Sequence, residues 1–223
     1  NIFNPELLKG CFTQGMAFVE AGKNYPNCVV GVDIGKSVNS TVISVWSTSK
    51  DADVNRANLI YIEEITPKTG GHDIPYQRKR IMDIARSFGV GRVIIDATGI
   101  GGAIEQDLRI ACINSVPQIY FIPFIFTGGP RGTKTQVFRD YVSFIQQERV
   151  WVPNPANLDI RGQKIINKWF REHVDLQYVM DAANKTERIA APDGKHDDYC
   201  DSSVLGIHAT LAMLPGTATV ASS

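Results

Sequence analysis

The segment Val29–Ser37, with the sequence VVGVDIGKS, constrains the fold of this chain most, because it joins an apolar run to a carboxylate. Val29–Val32 is apolar and mostly β-branched, which is typical of a strand covered on both faces of a sheet. Asp33 follows where that strand ends, and a buried carboxylate is costly unless it is paired, neutralised or bound to a cation. A simple turn in which Asp33 accepts backbone N–H groups would also explain the segment. Chemistry at Asp33 therefore requires further acids.

Two other parts of the sequence supply such acids. Arg92–Gly99, RVIIDATG, repeats the pattern of a buried strand ending in a carboxylate, here Asp96. Near the C-terminus, GKHDDYCDS places Asp197, Asp198 and Asp201 at the predicted start of a helix. Carboxylates at a helix start can cap N–H groups and meet the positive end of the dipole, but that role does not need three of them. Asp197 and Asp201 share a helix face, and Asp198 lies roughly 100° round from Asp197.

The order of predicted elements indicates an α/β fold built on a mixed sheet. The strand at Val29 and two further β-branched segments predict a three-stranded antiparallel meander, and alternating helices and strands then predict parallel crossovers. The result is a mixed sheet with helices on both faces. The later elements are strands at Ser40–Thr48, Asn58–Thr66, Arg92–Asp96 and Gln118–Phe126, helices at Tyr76–Phe88, Ala103–Ile113, Thr135–Val150 and Ile160–His173, a hairpin of Leu176–Met180 with Glu187–Ala191, and a last helix to about Leu214.

Composition limits the partners and the organisation of the chain. With 223 residues, the simplest division is one domain at 28–214, a lead-in at 1–27 from a missing N-terminal part and a flexible tail at 215–223. Lys plus Arg equals Asp plus Glu at 23 each, so any contact with DNA must be local. The four cysteines lack the spacing of a zinc site or a disulfide framework. No apolar run reaches the ~18 residues of a membrane span.

The three acidic elements together predict an all-oxygen site. Carboxylates suit Mg²⁺ or Mn²⁺ rather than zinc. Two such ions, ~3.5–4 Å apart, can hold a phosphodiester, one activating a water as nucleophile and the other stabilising the leaving oxygen.

These motifs, in their order and spacing, resemble the nuclease domain of the large terminase subunit of tailed bacteriophages over roughly residues 28–214. The resemblance implies that the mixed sheet belongs to a ribonuclease H-like fold. The resemblance implies that Asp33 and Asp96 are the two strand carboxylates that bind metal. Asp197 and Asp198 match the third acidic position, with the principal ligand of the pair left open. Asp201 falls outside the family pattern, so an auxiliary role one turn further along the helix is expected for it.

The resemblance also implies an activity and its partners. The expected activity is cleavage of double-stranded viral DNA, dependent on Mg²⁺ or Mn²⁺ and largely independent of sequence, during genome packaging in the host cell cytoplasm. The expected partners are DNA, an N-terminal packaging ATPase, the portal and the small terminase subunit. Arg131 and Lys134, in the glycine-rich loop after the predicted strand ending at Phe126, are candidate phosphate contacts, although a solvated loop would look the same.

Two alternatives come from other classes of protein. The residues DIGKS after a buried strand also resemble the first phosphate loop of the actin and sugar-kinase superfamily, which would need a longer chain and a second such loop. Gly31, Gly35, Lys36 and Ser37 do not form a P-loop, because three residues separate the glycines where that motif has four. The other alternative is a non-catalytic packaging or docking domain whose acids only cap helices. A metal titration separates it from a nuclease.

Overall fold

The structure is a computed structural model that describes residues 1–20, 25, 27–35, 39–51, 53–69, 73–98, 100, 102–129, 131–181 and 186–212. Several predicted features lie outside these residues. They are Lys36 and Ser37 of the possible phosphate loop, Gly99 and Gly101 after the second acidic strand, part of the hairpin turn, the end of the last helix and the tail at 215–223.

A mixed sheet of seven strands organises the described residues. The strands are β1 (Phe12–Thr13), β2 (Cys28–Asp33), β3 (Thr41–Asp51), β4 (Val54–Ile65), β5 (Arg92–Asp96), β6 (Tyr120–Phe124) and β7 (Val150–Pro153). Their order in the sheet is β1-β7-β4-β3-β2-β5-β6. The strands β2, β3 and β4 form the predicted antiparallel meander, while β5 and β6 continue beside β2 in parallel and β7 runs parallel to β4. The mixed sheet is therefore confirmed.

Helices cover both faces of this sheet, as predicted. On β2, Val29 points into one core and Val30 into the other, because successive side chains of a strand face opposite sides. The helices are α1 (Pro5–Gly10), α2 (Ile74–Ser87), α3 (Gly102–Ile113), α4 (Thr133–Gln146), α5 (Ile160–Asp175) and α6 (Asp198–Ile207). Helices α2 and α3 pack over one core, and α4, α5 and α6 pack over the other. A separate hairpin pairs β8 (Gln177–Asp181) with β9 (Thr186–Ala190).

Local sequence signals explain where α2 begins and ends. The Asp73 side chain accepts a hydrogen bond from the Tyr76 N–H at 3.2 Å, and Pro75 occupies the first turn, where its missing N–H costs nothing. Gly89 follows the helix with φ of 60°, a conformation that glycine adopts without strain. None of the helices among the described residues is long and apolar enough to cross a membrane.

Two features are absent from the predicted elements. No strand is predicted at Val150–Pro153, but these residues form β7, because their apolar side chains complete the sheet beside β4. Arg80 of α2 reaches β4, where its guanidinium lies 2.6 Å from the Glu63 carboxylate.

The described part of the predicted lead-in belongs to the folded body. Phe3, Leu8 and Cys11 are buried in the core beneath α4, and the Phe3 ring contacts that of Tyr141 at 5.1 Å between centroids. Strand β1 extends the sheet beside β7. The segment therefore contributes apolar surface to the core.

Helix α6 lies against β2 at an unusually close distance. A Cβ atom added at Gly31 would lie 2.4 Å from the Ser202 carbonyl oxygen and 2.5 Å from the Gly206 nitrogen. The Ser202 hydroxyl donates to the Gly31 carbonyl at 3.0 Å, and the Ser44 hydroxyl donates to the Ser202 carbonyl at 3.1 Å. The small residues Gly31 and Ser202 therefore allow the backbones of α6 and β2 to lie in direct contact.

We expect Gly31→Ala to destabilise the domain by about 3 kcal/mol or more, because the added methyl meets backbone atoms that cannot move independently. Urea unfolding measures the change in the free energy of unfolding. Gly91→Ala is the matched control, since nothing lies within 4 Å of its added Cβ. Equal stability of the two variants would contradict the close contact of α6 with β2.

Candidate metal centre

The two strand-end carboxylates lie at one edge of the sheet. Strands β2 and β5 are parallel neighbours in which Val32 pairs with Ile95, so Asp33 and Asp96 follow at equivalent positions. The turn after Asp96 is fixed by its own side chain, since Asp96 Oδ1 accepts a hydrogen bond from the Thr98 N–H at 2.8 Å. The parallel pairing of β2 and β5 therefore places the two carboxylates at the same end of the sheet.

The start of α6 brings the other acids to the same edge. Asp197 is the N-cap residue, and Asp198 and Asp201 lie in the first turn. Asp198 and Asp201 are both buried, with 5% and 6% of their surface exposed. Asp197 makes no side-chain capping hydrogen bond, so helix capping does not account for this group.

The charges of all these acids act on Asp33. Burial raises the pKa of the Asp33 carboxyl well above its usual value, and the carboxylates of Asp201, Asp198, Asp96 and Asp197 raise it further, in that order. Every acid singled out in the sequence therefore contributes to one electrostatic centre. Among these four acids, Asp201 raises the pKa of Asp33 most, although the sequence pattern favoured an auxiliary role for Asp201.

A lysine lies inside this acidic centre. Lys134 Nζ is 2.6 Å from Asp201 Oδ2 and 3.2 Å from Asp197 Oδ2, and its side chain is only 17% exposed. Burial alone would lower the pKa of Lys134, but the two carboxylates outweigh this effect and the pKa is raised. The prediction that Lys134 lies on an open loop is wrong, because α4 begins at Thr133 and directs the side chain into the centre.

Two other basic residues differ from Lys134. The Lys195 ammonium lies 3.3 Å from an oxygen of Asp175 rather than beside Asp201. Arg131 remains exposed on the loop before α4, so its role as a phosphate contact stays a prediction. Sequence spacing gave no sign of the contact between Lys134 and Asp201, which are 67 positions apart.

The donor set fits a hard divalent cation. Its donors are carboxylate oxygens, which Mg²⁺ and Mn²⁺ prefer. Asp201 Oδ1 is buried and has no hydrogen-bond partner, so an acceptor at the centre is left for a cation. Within the described ranges, no three acidic, histidine or cysteine side chains already form a metal-ligand arrangement. Like charges crowded together repel each other, and the single positive charge of Lys134, shared by Asp197 and Asp201, offsets only part of this repulsion.

A second polar network, missed by the sequence analysis, holds the start of α6. Glu172 Oε2 accepts a hydrogen bond from the Tyr199 N–H at 2.8 Å, and Glu64 Oε2 accepts one from the Tyr199 hydroxyl at 3.2 Å. Lys168 Nζ donates to Glu64 Oε1 at 2.6 Å. Glu172 thus satisfies an N–H group of the first turn that has no partner within the helix.

One signal in the sequence could have located Glu64. In the meander, Asp33 pairs with Val42, and Val42 pairs with Glu64, so Glu64 lies in the same row across three strands. An acid near the end of β4 is therefore an expected neighbour of the centre once the register is known. Glu172 carries no comparable signal, because its partner Tyr199 is 27 positions away.

Burial perturbs other acids in this region. Burial raises the pKa of Asp198 to about 6. The charge of His196 opposes this increase, and the charge of Asp197 adds to it. Burial also raises the pKa of Glu172 to about 7, against the opposing hydrogen bond from Tyr199 and the charge of Lys168.

Comparison with solved structures identifies the fold, whereas comparison of sequences does not. No protein-family profile matches this sequence, and no curated protein sequence matches it. The large terminase nuclease of the thermophilic phage G20c superposes with a TM-score of 0.66 at 19% identity, covering 92% of this chain and 95% of that one. The nuclease domain of the large terminase subunit gp2 of bacterial virus Sf6 gives a TM-score of 0.68 at 13% identity, with 93% and 98% covered.

A longer protein shows the same likeness over part of its length. The large terminase of bacteriophage HK97 superposes with a TM-score of 0.57 at 14% identity, covering 93% of this chain and 43% of that one. The chain thus has the fold of large terminase nuclease domains, and the fold implied by the sequence motifs is confirmed.

We expect Glu172→Gln to change how stability depends on pH. The raised pKa means that the folded state keeps a proton on Glu172 between about pH 4.5 and about 7, while the unfolded state loses it. The stability from this group is complete below that window and is lost as pH rises through it. Glutamine does not ionise, so the variant should gain up to about 3 kcal/mol relative to the parent between pH 4.5 and 8. Urea unfolding across this range measures it.

Glu6→Gln is the control for that experiment, because the Glu6 side chain is 77% exposed. It should show no such pH-dependent difference. A constant difference between Glu172→Gln and the parent at every pH would mean that folding does not raise the pKa of Glu172.

Proposed function

We propose that this protein is a metal-dependent endonuclease that cleaves double-stranded DNA during packaging of a viral genome. The observation that carries this proposal is the placement of five carboxylates at the edge where β2, β5 and α6 meet, with Asp33 and Asp96 at the ends of paired strands and three acids at the start of the helix. Such a concentration of negative charge is costly in a fold and favours a function that brings cations to it.

The divalent ions bound in solved structures of the same fold support the proposal. The G20c nuclease has a structure with bound magnesium, and variants of the Sf6 domain have structures with calcium and with manganese. These ions belong to proteins that share the fold of this chain. The carboxylate donors and the unpartnered Asp201 Oδ1 make the same class of ion suitable here.

Asp33, Asp96 and Asp201 are the residues that we assign as ligands. The first two are held by neighbouring strands, and Asp201 is held by the contact of α6 with β2, so their backbones are fixed before an ion arrives. Asp197 and Asp198 flank them. Two bound divalent ions would supply a metal-activated water and stabilise the leaving oxygen of a phosphodiester. The protein's own part is to hold the oxygens in place and to keep the centre rigid.

DNA binding by this domain should be weak and sensitive to salt. The formal net charge is zero, and the centre itself is acidic, so phosphates are attracted only through bound ions and local basic residues. Arg131, exposed on the loop before α4, is the remaining candidate for a phosphate contact. Lys134 is engaged by carboxylates and is not free for that role without rearrangement.

The biological setting that we infer is that of a large terminase subunit. The chain corresponds to 43% of the HK97 large terminase, which leaves room in such a protein for a packaging ATPase. The proposed partners are that ATPase, the portal, the small terminase subunit and DNA, in the host cell cytoplasm. Nuclease activity of the domain can be tested without any of these proteins.

We expect the domain to nick or linearise supercoiled plasmid with Mn²⁺ or Mg²⁺ and to be inactive in EDTA. Asp33→Asn and Asp96→Asn should each abolish cleavage, because each removes a charged ligand, while the fold stays intact because crowded like charges are relieved. Asp107→Asn is the control, since Asp107 is exposed and pairs with Arg78 on the helical surface. Cleavage that continues in excess EDTA would contradict a metal-dependent nuclease.

The acids of α6 should differ in their effects on cleavage. Asp201→Asn should reduce the rate by more than ~100-fold, whereas Asp197→Asn should cost no more than the ~10–100-fold typical of residues that only support ligands. Single-turnover cleavage rates, with unfolding curves for each variant, measure this. Full activity of Asp201→Asn together with loss of activity in Asp198→Asn would restore the assignment based on the sequence pattern.

A further inference from the structure

Lys134 occupies the place where a cation is needed. Its ammonium bridges Asp197 and Asp201 at 3.2 and 2.6 Å, and the remaining oxygen of Asp201 has no partner. We propose that Lys134 is a built-in counter-ion that competes with a divalent cation for Asp201, so that the metal binds only by displacing it. This inference rests on the proposed function, because it concerns the same centre.

The position of Lys134 is imposed by the tertiary structure. Lysine in the first turn of a helix opposes the helix dipole, so α4 itself does not favour the charge there. The rings of Phe126 and Phe138 lie 5.1 and 5.8 Å from Nζ and limit its contact with water. The attraction to the two carboxylates therefore holds the ammonium in place.

The loop before α4 fixes the point from which Lys134 extends. A Cβ atom on Gly132 would lie 2.1 Å from the Thr127 carbonyl oxygen, so the chain turns back tightly on itself there. The Thr133 hydroxyl donates to the Ile125 carbonyl at 2.7 Å, and the Thr135 hydroxyl donates to the Gly129 carbonyl at 2.8 Å. Because the backbone is fastened on both sides, displacement of Lys134 requires a change in its side chain alone.

Charge determines the consequence for metal binding. A divalent ion on Asp201 would lie within a few ångströms of the ammonium, where like charges repel strongly in a partly buried site. Displacing Lys134 therefore reduces the net free energy that the carboxylates gain by binding the metal. Removing the ammonium should make metal binding tighter, whereas a lysine that only stabilises the fold would leave metal affinity unchanged.

The test is calorimetric titration of the whole domain with MnCl₂ in the absence of DNA. Lys134→Met, which keeps most of the side-chain volume without the charge, should bind Mn²⁺ at least about tenfold more tightly than the parent. Lys134→Arg keeps the charge and should bind like the parent. Lys195→Met is the matched control, because it removes a charge paired with Asp175 outside the centre, and its affinity should not change.

Thermal unfolding gives a second readout. Without metal, Lys134→Met should melt below the parent, because the buried Asp201 and the partly exposed Asp197 lose their counter-ion. Mn²⁺ should raise the melting temperature of the variant more than that of the parent. If the variant folds only when refolded with Mn²⁺, the metal has taken over the role of the lysine, as expected. Failure to fold even with Mn²⁺ would overturn the inference.

The two proposals fail in distinguishable ways. If the parent binds Mn²⁺ and Lys134→Met binds it no more tightly than the parent does, the proposed role of Lys134 is overturned. The nuclease proposal would still stand. Absence of Mn²⁺ binding by the parent and by every variant would overturn the proposed metal centre and this inference with it.

Discussion

The contact of α6 with β2 is the interaction on which the rest of the structure depends. Gly31 lets the helix backbone approach the strand so closely that no side chain fits between them, and the hydroxyl of Ser202 then bonds to the Gly31 carbonyl. Gly206 repeats this one turn later against the ring of Trp46. Since Asp201 directly precedes Ser202 and Asp33 is two residues after Gly31, the same packing that closes the core brings the two acids to one centre.

Bringing these acids together makes their like charges repel each other, and two lysines offset part of this repulsion. Lys134 reaches the centre from α4 and pairs with Asp201, while Lys168 reaches its other side from α5 and pairs with Glu64. Buried charges without partners destabilise a fold severely, so these lysines are as much a part of the site as the acids. The centre is therefore balanced by protein cations on its flanks and acidic at Asp33, where four carboxylates act together.

Particular residues show how far the sequence could be interpreted. The strand ends at Asp33 and Asp96 were recognisable because a buried strand has a local pattern and parallel neighbours end at the same edge. Strand β7 was missed because its four residues are too short for a period to be visible, and they pair with β4 only after a long connection. Lys134 was placed on a loop because the glycines before it suggested flexibility, whereas they allow a tight turn into α4.

The sequence alone determined the type of fold and the chemical nature of the site. Alternation of apolar and polar residues fixes which segments become strands and helices, and the carboxylates stand at points that the local pattern marks as ends or starts. Only the tertiary structure decided which carboxylate raises the pKa of Asp33 most, and which cation pairs with that carboxylate. Those choices depend on how α4, α5 and α6 pack on the sheet, and contacts between residues such as Lys134 and Asp201, far apart in the chain, leave no local trace in the sequence.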